Sequence, residues 1–168
     1  MRITYEHRFD APVGDVVAML SNEEFAGIRA RASGSADADV LVDVMDDGAF
    51  TVVIRRVIPA DTIPPEFRSF VGSQLSVRYT EAWAAADFNG DPADREGTFA
   101  VEIPGTPGHA RGTVVLKPGP EGTVFVLEGQ VQANVPLVGP IVERAVAGAI
   151  QQALPQELAQ ADAWLSAR

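Results

Sequence analysis

The chain has 168 residues, 46% of them hydrophobic and 21% charged, ordinary proportions for one globular domain spanning 1–168. Its 13 Lys and Arg stand against 23 Asp and Glu, a formal net charge of −10. That field repels phosphate backbones and anionic headgroups, which argues against nucleic-acid binding and against docking on acidic membranes. Cysteine is absent, so disulfides, thiol nucleophiles and thiolate-bound metals are excluded.

The first ten residues lack the apolar segment of a signal peptide, and no run of about 18 apolar residues follows. The expectation is a cytoplasmic protein without membrane insertion. Ile3, Tyr5, His7 and Phe9 alternate with Arg2, Thr4, Glu6 and Arg8, the period of a half-buried strand. Asp10 before Ala11-Pro12 reads as a cap and first turn, and Val13, Val16, Val17 and Leu20 share one helical face. A second short helix restarts at Ser21-Asn22-Glu23-Glu24, with acids near its positive end, and frays between Arg31 and Gly34.

Six further strands follow. One carries Val40, Val42 and Val44 into the hairpin signal Asp46-Asp47-Gly48. The next runs from Phe50 to Ile58, after which Pro59, Pro64 and Pro65 break regularity. Residues 74–84 place Leu75, Val77, Tyr79, Glu81 and Trp83 on one face. After a polar connection from Asp87 to Gly97 come strands at 98–103, 109–117 and 122–134. Pro136 and Pro140 then open a helix of about seven turns, with Val138, Ile141, Val142, Ala145, Ala149, Ala153, Leu158, Ala161 and Leu165 at helical spacing and a kink at Pro155. Strands joined by short turns make an antiparallel sheet, and the long helix needs that sheet to bury its stripe. The fold class is α+β: a curved antiparallel sheet of about seven strands, two short helices after strand 1, and a long C-terminal helix across it.

Two stretches, FDAPVGDVVAMLSN at 9–22 and VPLVGPIVERAVAGAI at 135–150, resemble the START-like superfamily, also called polyketide cyclase or SRPBCC, with its helix-grip fold. Within it the chain looks most like an uncharacterised bacterial family of unknown function. The resemblance implies a cavity between helix and sheet that commonly holds a lipid, sterol, polyketide or other apolar ligand. The superfamily also includes cyclases, hydrolases and chaperone-binding modules, and fold alone does not select among them.

The residues supply candidates for lining such a cavity. The centre of the long helix, Ala145-Val146-Ala147-Gly148-Ala149, is small apart from Val146, with the larger Val142 as an anchor toward its start. The small side chains either leave space above the sheet or let the backbones approach closely. Strand parity points Phe50, Val52 and Ile54 inward on one strand, Val77, Tyr79 and Trp83 on the next, and Phe125, Leu127 and Val131 on the last. The same residues serve equally well as plain core. Glu81 lies between Tyr79 and Trp83 on the inward face. A buried carboxylate must be paired or protonated, so it either binds a ligand's polar head, does acid-base work, or meets an arginine, with Arg56 of matching parity on the neighbouring strand.

Other motifs are weaker. His7 falls on an apolar strand face and reads as structural, while His109 follows a Pro-Gly turn and reads as exposed. Neither has a metal-ligand neighbour at helical spacing. Asp87 to Pro92 imitates a calcium loop but places Pro92 where that loop needs Gly. No cofactor or metal is implied. Three functions stay open: a non-enzymatic binder of an apolar or amphipathic small molecule, a cyclase- or hydrolase-type enzyme using Glu81 and Tyr79, and a protein-interaction domain with a filled core.

Overall fold

A computed structural model describes residues 1–35, 37–63, 65–71, 73–86 and 94–168, without the side chains of residues 62, 66, 70 and 71. The elements in chain order are β1 (Arg2–Phe9), α1 (Val13–Leu20), α2 (Glu23–Ala32), β2 (Ala38–Val44), β3 (Phe50–Pro59), a 3-10 turn (Ala60–Thr62), α3 (Pro65–Val71), β4 (Gln74–Trp83), β5 (Arg95–Glu102), β6 (Gly108–Gly119), β7 (Gly122–Ala133), α4 (Gly139–Leu158) and α5 (Ala161–Ser166). The strands form one curved, open, antiparallel sheet in the order β1-β7-β6-β5-β4-β3-β2. Helix α4 lies over β7, β1 and β6 and meets α2, which covers β2 and β3. The core fills the concave face, as the alternation of each strand requires.

Several boundaries differ from the sequence reading for physical reasons. Asp10 does not cap α1. Pro12 holds the cap position, and no side chain bonds the first turn. The cap signal holds at α2 instead, where the Asn22 side chain accepts from the amides of Glu24 and Phe25. The proline-rich stretch after β3 contains a further helix, α3, with Pro65 at its first position, where a missing N–H costs nothing. Strand β5 begins at Arg95, three residues before Thr98, because Arg95 pairs with Leu116 and its guanidinium donates to the carbonyls of Ala84 and Gly48. The calcium-like stretch 87–92 lies outside the described residues.

The C-terminal helix is two segments. Pro155 is accommodated within α4, and the chain breaks after Leu158, where Ala159 and Gln160 reach back to Pro155 and Glu157. The buried stripe is also rotated from the alanine-based one. Ala147, Ile150, Leu154, Leu158, Ala161 and Trp164 are buried, while Ala145, Ala149 and Ile141 face solvent. Burial of Ile150 and Leu154 removes more apolar area from water than burial of Ala149 and Ala153, so the bulkier stripe wins.

One cross-strand row brings an aromatic ring against bare backbone. Ile3, Gly129, Gly112, Phe99, Glu81 and Val52 lie side by side across β1, β7, β6, β5, β4 and β3. The two glycines face each other. A methyl at Gly129 would come within 2.6 Å of the Phe99 ring, and one at Gly112 within 1.9 Å of the Glu128 carbonyl. The Phe99 ring therefore lies over bare backbone, a use of glycine for close approach. Gly129→Ala is expected to cost about 1–3 kcal/mol of unfolding free energy through overpacking, measured by urea denaturation. Gly148→Ala, where a methyl meets nothing within 4 Å, should be neutral or stabilising.

Candidate functional site

The centre of the concave face holds four charged side chains from four elements. On α2, Phe25, Ala26, Arg29 and Ala30 form the buried face, so Arg29 is carried inward by helical spacing. On β4, parity sends Glu81 inward between Tyr79 and Trp83. On α4, Glu157 lies on the stripe of Ile150, Leu154 and Leu158. On β3, Arg56 follows Ile54 at the inward period.

Glu81 is 0% and Arg29 1% exposed. Arg29 Nη2 donates to Glu81 Oε1 at 2.8 Å, and Arg29 Nε donates to Glu157 Oε2 at 3.3 Å. Arg56 Nη2 donates to Glu157 Oε1. Glu81 also accepts from the Tyr79 hydroxyl at 2.6 Å and from Trp83 Nε1 at 2.9 Å. The Arg29 guanidinium lies 5.6 Å from the centre of the Tyr79 ring. Two positive and two negative groups make the cluster neutral.

Burial alone pushes the Glu81 carboxyl up. The Arg29 charge and the bonds from Arg29, Tyr79 and Trp83 outweigh it and hold Glu81 below the ordinary glutamate value. Burial likewise pushes Arg29 down, and the carboxylates of Glu81 and Glu157 reverse the sign, leaving it firmly protonated. Burial, together with the charge of Glu81, pushes the Tyr79 hydroxyl well above its usual value. Glu81 is therefore an ionised structural group with both oxygens occupied, and it is not poised to move a proton. Arg56 meets Glu157 instead of Glu81, because its cross-strand neighbour is Val77 and Glu81 pairs with Val52.

The other sequence candidates fall into three groups. Phe50, Val52, Ile54, Tyr79, Trp83, Phe125, Leu127 and Val131 are buried in one core, with Trp83 between Phe50 and Phe125 at ring separations of 5.9 and 6.3 Å. Val77 and Val142 are half-buried, Val77 beside Arg56 of the neighbouring strand and Val142 next to Gly108 of β6. Ala145 and Ala149 are exposed and line no internal space.

Arg29 and Glu157 received no role in the sequence reading. Their signal was present, since each sits on the apolar side of its helix, but it needed the correct helical face. Neither histidine is in the cluster. His7 packs on Phe9 with Nδ1 3.3 Å from the Tyr5 hydroxyl, and burial lowers its pKa against the pull of Asp162. His109 is half-buried on β6. Among the described residues no group of three or more His, Asp or Glu is placed to hold a metal.

Two open clefts are present, one away from the cluster and one that reaches its edge at Arg56. One of about 680 Å³ lies among Ala11, Val13, Val17, Pro118 and Gly122 beside α1. The other, of about 470 Å³, is lined by Arg56 and Val77 together with Asp39, Arg55, Val57 and Arg78.

Solved structures of the same architecture include TTHA0849 from Thermus thermophilus, at TM-score 0.61 and 17% identity over 99% of this chain and 98% of that chain. Another is the di-domain ARO/CYC StfQ from the steffimycin biosynthetic pathway, at TM-score 0.61 and 13% identity over 99% of this chain and 51% of that chain. At such identities the likeness defines the fold class: a helix closed over a curved antiparallel sheet. The chain itself belongs to the family described as Protein of unknown function (DUF2505), which matches residues 4–165. An uncharacterized protein of Mycobacterium tuberculosis is 27% identical over 130 residues, covering 74% of this chain and 70% of that protein.

Removing one partner of a buried ion pair leaves the other uncompensated. Glu81→Gln is therefore expected to cost about 3–5 kcal/mol in chemical denaturation. Because the folded value of Glu81 is depressed, its stabilising contribution is present above the ordinary glutamate value near 4.5 and is lost as pH falls below it. The wild-type protein should lose stability on that acid limb, and Glu81→Gln should flatten the limb.

Proposed function

We propose that this protein is a non-enzymatic binding module for an apolar or amphipathic small molecule, held between α4 and the concave face of a START-like fold. One observation carries the reading. Apolar side chains along the seam, Leu75 and Val77 on β4, Ile103 after β5, and Val142 and Val146 on α4, are only half-buried. Elsewhere the same face is closed by Phe50, Trp83 and Phe125. Each half-buried valine forgoes part of the roughly 25 cal/mol per Å² that covering it would return, and a ligand along the seam recovers it. The likeness in fold to StfQ supports the reading by analogy alone.

The enzymatic alternative loses its main support, because the polar atoms of Glu81 and Tyr79 are engaged with each other and with Arg29.

The test uses Nile red, an uncharged apolar probe, together with native mass spectrometry of the purified protein. Saturable 1:1 binding is expected. Val146→Trp, which fills the seam, should weaken it about tenfold or more, the loss that about 1.4 kcal/mol of contact produces, with an unchanged unfolding midpoint. Absence of saturable probe binding together with an empty protein in the mass spectrum would overturn the proposal.

A further inference from the structure

The charged cluster has more donors than acceptors. All four oxygens of Glu81 and Glu157 accept hydrogen bonds. Arg29 Nη1 and Arg56 Nε are nevertheless buried and have no hydrogen-bond partner among the described residues. An unmet donor on a buried guanidinium is among the costlier defects a core can carry, and each one calls for an acceptor. The two open donors belong to the two arginines that meet at one carboxylate, Glu157.

From the small-molecule reading above we infer that the ligand carries a neutral oxygen acceptor, a ketone, ester or hydroxyl, received by Arg56 Nε and Arg29 Nη1. Arg56 is the most exposed of the four, its side chain 11% accessible. It pairs across the strands with Val77, one of the half-buried residues of the seam. A molecule lying along the seam therefore meets Arg56 first and Arg29 beyond it. Charge selects the chemistry. The cluster is already neutral, so a carboxylate head adds an uncompensated buried charge, which is strongly unfavourable. A bare hydrocarbon leaves the donors open. A carbonyl or hydroxyl oxygen fills them without adding charge.

Three ligands of one skeleton separate these cases: 2-acetylnaphthalene, 2-ethylnaphthalene and 2-naphthoate, each titrated against bound Nile red. The ketone is expected to displace the probe at a concentration about tenfold or more below the hydrocarbon, the gain of one hydrogen bond to a charged donor. The carboxylate should rank below the ketone. Arg56→Met should reduce the ketone's advantage severalfold without changing hydrocarbon affinity, since Glu157 keeps Arg29. If that variant does not fold, the wild-type ranking alone decides. Equal displacement by ketone and hydrocarbon overturns the inference, because the donors are then satisfied by resident water or gain nothing from an acceptor, and the binding module stands without it. A carboxylate that ranks first overturns it in favour of an anion site. Failure of all three ligands and of Nile red removes the small-molecule reading itself.

Discussion

Burying four charges is the constraint to which the rest of the core conforms. Each ion taken out of water carries an effective penalty of several kcal/mol, and only close, well-directed partners offset it. Arg29, Arg56, Glu81 and Glu157 meet that demand together, because each carboxylate is shared or supported. Helix α2, strands β3 and β4 and helix α4 must then be positioned to within a hydrogen bond of one another. A shift of α4 by one residue along its axis would carry Glu157 away from both arginines. The cluster is weak evidence for high stability and stronger evidence for a single arrangement of these elements.

Around that centre the concave face divides in two. The half nearest the β2–β3 turn on one side and the β6–β7 turn on the other is filled by aromatic rings in contact, Phe50, Trp83 and Phe125. Phe99 stacks near Tyr79 and lies over Gly129, where the missing side chain lets the ring come close to the sheet. Toward the first half of α4 the packing thins to valines left partly open. Rigidity on one side and incomplete cover on the other give the face a direction.

Much of this was legible in the sequence, and the failures have identifiable causes. Strand parity placed Glu81 between Tyr79 and Trp83 and placed the rings inward, because a period of two leaves little freedom once one face is apolar. The helices were harder. In α4 the alanines at 145, 149 and 153 form a tidy stripe, yet Val146, Ile150 and Leu154 form a bulkier one about one residue away, and burial follows bulk. That error hid Glu157, which falls on the second stripe. Arg29 was hidden because α2 offers little contrast: EEFAGIRARA has arginines at 29 and 31, and only the neighbours Phe25 and Ala26 tell which one turns inward. The break after Leu158 had no local signal beyond Pro155, a few residues earlier.

The position of the fourth member along the chain has a consequence during synthesis. Arg29, Arg56 and Glu81 lie on α2, β3 and β4, whereas Glu157 lies on α4, which follows the whole sheet in the chain. A nascent chain that has completed its sheet but not α4 holds two arginines against one glutamate, an excess of one positive charge at the centre of its intended core. That core cannot close dry, since water must remain to solvate the unmatched guanidinium. Helix α4 therefore brings the counter-charge as well as the lid, and the order of translation keeps the concave face hydrated until that helix has been made.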